Sequence, residues 1–339
     1  MTDAASIAQR TATDTAGWSG RRVLITGGLG FIGSTLARRL VRLGADVLVV
    51  DSMVPDYGGN LFNLDGCEGL IRTNISDIRD PYSMGHLVGD RELVFNLAGQ
   101  TSHLDSMHDP FTDLAINCTA QLSLLEICRK HNPGVKIVFA STRQIYGRPQ
   151  YLPVDERHPL NPVDVNGINK IAGESYHMLY NQVYGLRSTV LRLTNTYGPR
   201  MRVKDARQTF LGVWIRAVIE GRSFEVWGGE QLRDFTYVDD AVDALMIAAI
   251  NDSLDGKAFN LGGDSVVSLR QAAETLARVS GGSFGIHEFP AERKRIDIGD
   301  YYGDDTAFRA ASGWAPRVLL EEGLCRTVEF YRRHLDHYL

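Results

Sequence analysis

Apolar residues in this chain fall in short uninterrupted runs, separated by longer stretches where they recur every three or four positions. The first run, Val23-Leu24-Ile25, ends in a cluster of glycines. A helical pattern over residues 31–43 follows, and then Val47-Leu48-Val49-Val50, closed by Asp51. Runs of the same kind recur at 70–75, 93–97, 136–141 and 188–193, with helical patterns over 113–130 and 168–184 between the later ones. Strands apolar on both faces, alternating with amphipathic helices, predict an α/β fold built on a doubly wound parallel sheet. After about Pro199 the elements shorten and mix, at 209–220, 224–227, 239–250 and 319–333. This predicts a main domain over 21–198 and a smaller mixed α/β C-terminal lobe over 199–339 that shares its cleft. Residues 1–20 are polar and rich in small side chains, and read as a flexible leader ordered at most at Trp18.

Charge and composition narrow the partners. Lys and Arg number 36 against 41 Asp and Glu, a net charge of −5, whereas nucleic-acid binders carry a basic surplus to neutralise phosphates. Nucleic acid is therefore not an expected partner. No run approaches the ~20 apolar residues of a membrane-spanning helix, so neither is a membrane. The N-terminus lacks the apolar centre of a signal peptide. Cys67, Cys118, Cys128 and Cys325 show no Cys-x-x-Cys spacing, which suggests a reducing cytoplasm without disulfides or zinc. His103 and His108 make no metal site by spacing alone, and no metal is expected.

The glycine cluster carries the first chemistry. Thr26-Gly27-Gly28-Leu29-Gly30-Phe31-Ile32-Gly33 stands between the first strand and the first helix. Gly28, Gly30 and Gly33 satisfy G-x-G-x-x-G, and Gly27, Gly30 and Gly33 the related G-x-x-G-x-x-G. Such a turn lets the backbone approach a pyrophosphate, while the helix N-terminus offers free N–H groups and a positive dipole end. Asp51 ends the second strand at about the ~20-residue offset of an acid that binds a ribose 2′-hydroxyl and repels a 2′-phosphate. The expected cofactor is NAD, on a Rossmann domain spanning 21–198.

Further segments extend the pattern: SDIRD at 76–80, NLAG at 96–99, INCTAQLSLLE at 116–126, STRQIYG at 141–147, LTNTYGPR at 193–200, LRDFTYVDD at 232–240 and FNLGG at 259–263. In this order, from about Arg22 to the C-terminus, they resemble the extended short-chain dehydrogenase/reductases, the sugar-nucleotide epimerase/dehydratase family. The resemblance implies that Gly27, Gly30, Phe31, Ile32, Asp51, Asp77, Ile78, Leu97, Ala98 and Gly99 line the cofactor, with Lys170 at its nicotinamide ribose. It also implies a nucleoside diphosphate sugar substrate, held in part by the smaller lobe. Asn195 and Arg233 match positions that contact the diphosphate, Gln208 and Trp227 positions that hold the nucleotide, and Arg293 an arginine that completes the clamp. Residues 113–130 and 168–184 resemble helices that pair in family dimers, so a homodimer is expected.

The family's catalytic signature is Tyr-x-x-x-Lys on one helix with a Ser or Thr on the preceding strand end. Thr142 and Lys170 match, but Asn166 stands where the tyrosine belongs. An amide donates and accepts hydrogen bonds yet does not exchange protons near neutral pH. It can orient a sugar hydroxyl without taking its proton. Lys170 with Thr142 is the favoured proton acceptor; Asp105, His103, Tyr146 and a water held by Asn166 and Thr142 are the alternatives. Arg143-Gln144 replaces the Asp-Glu pair of the 4,6-dehydratases, which argues against ordinary dehydration. The leading expectation is an NAD-dependent isomerase, a sugar-nucleotide epimerase working by transient oxidation. One rival is a decarboxylase of a carboxylated sugar nucleotide, with Arg143 pairing the carboxylate, as the stretch from Gly198 to Arg207 resembles UDP-glucuronate decarboxylases. The other rival is a non-catalytic protein that binds NAD or a sugar nucleotide.

Overall fold

A computed structural model describes residues 17–55, 57–207, 209–288 and 298–339. Strands β1 (Arg22–Thr26), β2 (Asp46–Asp51), β3 (Ile71–Ile75), β4 (Leu93–Asn96), β5 (Lys136–Thr142) and β6 (Ser188–Leu193) form the main sheet. β7 (Asn195–Tyr197), β8 (Phe224–Trp227) and β9 (Leu232–Tyr237) begin the smaller lobe. The chain then returns, and β10 (Lys257–Asn260) joins the edge of β6. The seven main strands lie in the order β10-β6-β5-β4-β1-β2-β3, all parallel. β11 (Val266–Ser268) pairs antiparallel with β9, and β12 (Phe284–His287) lies parallel to β8.

Period two decides which side chain meets which layer. Val23 and Ile25 of β1, Val47 and Val49 of β2, and Phe95 of β4 point to one face, against α1 (Phe31–Arg42). Leu24, Leu48, Val50 and Val94 point to the other, against α2 (Pro81–Val88). Two short helices, α3 (His103–His108) and α4 (Pro110–Leu114), lead into that second layer. The helix expected over 113–130 is present within one continuous helical run, with a π-turn at Ala115–Thr119 between α4 and α5 (Ala120–His131). α6 (Val165–Tyr184) completes the layer; Asp164 caps it by accepting from Gly167 N at 2.7 Å, and Gly185 ends it in the left-handed region.

α7 (Phe210–Ile219) packs in the smaller lobe, whereas α8 (Val238–Ile250) crosses back to lie on α1 in the core of the main sheet. α9 (Leu269–Ser280), α10 (Thr306–Ser312) and α11 (Leu320–His334) complete the fold. Residues after 199 thus serve both units: β10, α8, Phe308 and Trp314 pack with the main sheet, and α7, α9 and α11 form the smaller core. Trp18 belongs to the main core, buried near Phe95. Residues 1–16 of the expected leader lie outside the described residues. Among the described residues, no helix is long and apolar enough to cross a membrane.

One face of α6 carries Asn166, Lys170, Glu174 and His177, all buried at helical spacing. Glu174 pairs with Arg192 of β6 at 2.8 Å. His177 stacks on Phe139 at 4.5 Å, and burial, aided by the Lys170 cation, pushes its pKa down to about 3. In the unfolded chain histidine binds a proton below about pH 6.5, while native His177 resists protonation until far lower. The unfolded state therefore holds more protons between these limits, so stability is lost as pH falls below about 6.5, by roughly 1.4 kcal/mol per unit. His177→Phe keeps the stacked ring and removes this term. Its loss of stability between about pH 7 and pH 5, read from urea midpoints, should be smaller than the wild type's by about 2 kcal/mol. An unchanged loss would place the acid sensitivity elsewhere.

Candidate active site

The strand order reverses at β1, whose neighbours β2 and β4 lead to opposite edges of the sheet. A crevice opens outside the carboxyl ends of strands at such a point, and the glycine turn lies in it. Gly27 has φ 67°, and a Cβ there would stand 2.9 Å from the Ala98 backbone. A Cβ on Gly33 would meet Gly27 O at 2.3 Å, closing the packing of α1 on the turn. Gly28 serves packing too, since a Cβ there would strike Val49 Cγ1. Gly30 begins α1 without a side-chain cap, and the first turn carries no acid. Its N–H groups therefore remain available to an anion.

Thr26 Oγ1 accepts from Leu97 N and Ala98 N, which binds the turn to the segment leaving β4. Asp51 Oδ2 accepts from Leu29 N at 3.1 Å, and Oδ1 from Met53 N at 2.9 Å. Burial raises its pKa, and those two N–H groups oppose the rise. Ser76 N donates to Asp51 O, placing Asp77 beside it. The Asp77 carboxylate is engaged by Arg79, which holds its pKa down. Gly27, Gly30, Phe31, Ile32, Asp51, Asp77, Ile78, Leu97, Ala98 and Gly99 all line this cleft. A floor kept clear by glycines, an uncapped helix end and a fixed acid fit a dinucleotide.

The cleft continues to Thr142, Arg143, Gln144, Asn166, Lys170 and Asn195. Lys170 Nζ donates to Ala140 O at 3.2 Å and lies 4.9 Å over the Phe139 ring. Burial pushes its pKa down to about 8, and the carboxylates of Asp113 and Glu174 oppose that. Gly99 leaves it room: a Cβ there would stand 3.1 Å from Nζ. Asn166 Nδ2 donates to Gln100 O at 2.7 Å and to Asp113 Oδ2 at 3.0 Å. Asp113, fully buried, also accepts from Asn117 Nδ2 at 3.0 Å and Asn169 Nδ2 at 2.8 Å. Sequence reading missed this node, although Asn166, Asn169 and Lys170 share one helical turn.

Other candidates are placed elsewhere. Tyr146 is buried, donates to Asn260 Oδ1 at 2.6 Å and accepts from Arg192 Nη1 at 2.7 Å. Burial raises its pKa to about 12, and Tyr146 does not line the cleft. Asp105 Oδ2 faces Arg207 at 3.5 Å, and Asp105 does not line the cleft. Arg143 Nη2 donates to Asn195 Oδ1 at 3.4 Å, and its guanidinium lies 5.0 Å over the Tyr301 ring. Arg233 Nη1 donates to the carbonyls of Leu232 and Gly299. Neither Arg233 nor Trp227 lines the cleft. Gln208 and Arg293 lie outside the described residues.

Residues 23–262 match the profile of the NAD dependent epimerase/dehydratase family. The chain belongs to that family. It is 32% identical to a UDP-glucose 4-epimerase of Mycolicibacterium smegmatis, over 92% of this chain and 98% of that protein. It is also 31% identical to UDP-glucuronic acid decarboxylase 1 of Xenopus tropicalis, over 94% and 73%. The crystal structure of a Thermotoga maritima UDP-glucose 4-epimerase with UDP-glucose superposes with a TM-score of 0.84 at 31% identity, covering 92% of this chain and 99% of that one. The protein is thus an enzyme of the NAD-dependent epimerase/dehydratase type.

Asp51 supplies a direct test of cofactor choice. If Asp51 accepts from the ribose and repels a 2′-phosphate, Asp51→Ala should lower NAD affinity by about ten-fold or more, as a lost charged hydrogen bond predicts. NADP binding should hold or improve in the same titration. Equal losses for both cofactors would show that Asp51 only braces the turn through Leu29 and Met53.

Proposed function

We propose that the protein inverts one secondary alcohol of a nucleoside diphosphate sugar by transient oxidation of that carbon. The observation that carries this reading is the continuity of the cleft, which runs from the glycine turn past Lys170 to Arg143 and Asn195. NAD, when bound, supplies reversible acceptance of hydrogen with its electron pair. The chain must hold the sugar so that either face of the oxidised carbon can be reached. Asn166 spends its amide N–H groups on Asp113 and Gln100, which leaves its carbonyl to accept a sugar hydroxyl. Thr142 Oγ1 accepts from Gln144 N at 3.3 Å, and its O–H is left to donate. In this reading Lys170 holds the nicotinamide ribose, and Arg143 with Asn195 the diphosphate, since a guanidinium fork suits phosphate oxygens.

The Thermotoga maritima relative was crystallised with UDP-glucose, and a UDP-hexose or similar sugar nucleotide is the substrate inferred here. Leu104, Met107, Phe111 and Ile168 leave exposed apolar surface on α3, α4 and the start of α6, a surface that a second copy would cover in a homodimer. Sedimentation of the purified protein as a monomer would remove that part of the reading. Free thiols at all four cysteines fit a cytoplasmic location.

The reaction is tested by incubating the NAD-loaded enzyme with a panel of sugar nucleotides and analysing the products. A stereoisomer of unchanged mass is expected; loss of carbon dioxide or water would overturn the proposal. In the same assay Asn166→Ala should lower turnover about ten-fold, the effect of one hydrogen bond of ~1–2 kcal/mol. Lys170→Ala should cost far more, since it removes the buried cation that lines the cleft beside Asn166.

A further inference from the structure

The family's tyrosine is absent, and three tyrosine-free segments close around the place where it would act. They are the loop at 100–103, the β5 exit at 142–144 and the start of α6. Gln100 binds Asn166 through its carbonyl, and the backbone of Gln144 lies against Gly167, where a Cβ would meet Gln144 O at 2.9 Å. At their junction His103 Nδ1 is hydrogen-bonded to Asp164 Oδ2, and His103 Nε2 lies 2.6 Å from Gln144 Nε2. His103 and Gln144 both line the cleft together with Thr142, Asn166 and Lys170. Resting on the epimerase reading above, we propose that His103, oriented by Asp164, is the group that takes and returns the sugar hydroxyl proton.

Hydrogen-bond bookkeeping supports this assignment. The other oxygen of Asp164 accepts from Gly167 N, so its carboxylate is fixed as the cap of α6. An ionised carboxylate only accepts, and Nδ1 must therefore carry the hydrogen. Nε2 is left with its lone pair, and the Gln144 amide N–H points at it. This is the tautomer that a base requires. A substrate hydroxyl that displaces Gln144 would give its proton to Nε2 as the carbon loses hydrogen with its electron pair to NAD. Both return when the carbon is reduced from the other face, so nothing is consumed. Gln144 Oε1 is buried without a partner. Rotation of that amide would turn the oxygen to Nε2 and hold the protonated ring, so one side chain serves both states.

The alternatives are less well placed. The tyrosine that lines the cleft, Tyr57, has its pKa raised by burial and by the carboxylates of Asp105, Asp109 and Asp113, the reverse of what a phenol base needs. Lys170 is turned to Ala140 O and the Phe139 ring.

The test compares NAD-loaded wild type, His103→Gln, His103→Ala and Asp164→Asn on the sugar nucleotide that the wild type epimerises. Turnover should fall about a hundred-fold or more in both His103 variants, the usual range for a lost general base. Bound NAD and sugar-nucleotide affinity should stay near wild type. Added imidazole should restore part of the activity to His103→Ala and none to His103→Gln, which a purely structural role would not produce. Asp164→Asn keeps an acceptor for Gly167 N, and should mix the ring tautomers seen by NMR of nitrogen-labelled histidine, without substrate. Turnover of His103→Gln within about ten-fold of wild type, or failure of imidazole to rescue, would overturn the proposal. So would a wild-type spectrum without Nδ1–H. A wild type that converts no sugar nucleotide yet shows the Asp164-dependent tautomer would sink the epimerase reading instead.

Discussion

The catalytic end of the cleft depends on a buried anion. Asp113 has no solvent exposure, and a carboxylate in that position is tolerated only if protein donors replace its hydration. Three asparagine amides do so, from Asn117, Asn166 and Asn169. The requirement reaches outward from there. Asn117 lies in the π-turn between α4 and α5, so the wide turn sets that amide beside the carboxylate. Asn166 and Asn169 fix the first turn of α6, and Lys170 follows in a place where Asp113 helps sustain its charge. Asn166 thereby acts as a structural donor to Asp113.

This arrangement separates the cleft into two ends with different physics. At the cofactor end the contacts come from backbone: glycines that keep a floor clear, an uncapped helix terminus, and Asp51 tied to two main-chain N–H groups. The glycine turn itself follows from short-range sequence, although Asp51 reaches Leu29 across 22 positions. At the catalytic end the contacts come from side chains far apart in sequence. Asp113 meets Asn166 across 53 positions, and His103 meets Asp164 across 61.

That difference accounts for what could be read from the sequence. The apolar runs of the strands and the glycine turn were legible because each has a local signature. The Asp113 node was not, since an acid at the end of a helical pattern looks like any solvated residue until the sheet brings α4 and α6 together. The π-turn inside the helix expected over 113–130 escaped notice for a related reason: one extra residue of pitch leaves no mark in apolar periodicity. That β10 returns to the main sheet was not legible, because it has the short apolar run of any strand and nothing local says which sheet it joins. Arg233 carries a phosphate-binding side chain, yet its Nη1 is committed to the carbonyls of Leu232 and Gly299, a role that charge alone does not reveal.

The two carboxylates beside Asn166 also bear on what the site can accept. Asp113 is saturated by amides, and Asp164 is divided between the cap of α6 and the His103 ring. Neither projects free negative charge into the cleft, whereas Lys170 and Arg143 both line it. The field at this end therefore favours an anionic ligand, and the acids act on its chemistry only through the groups they orient. A carboxylate open to the cleft would repel a diphosphate and compete for Lys170. Saturating both acids from within lets one small volume hold the Lys170 cation, the Asn166 amide and the His103 ring together.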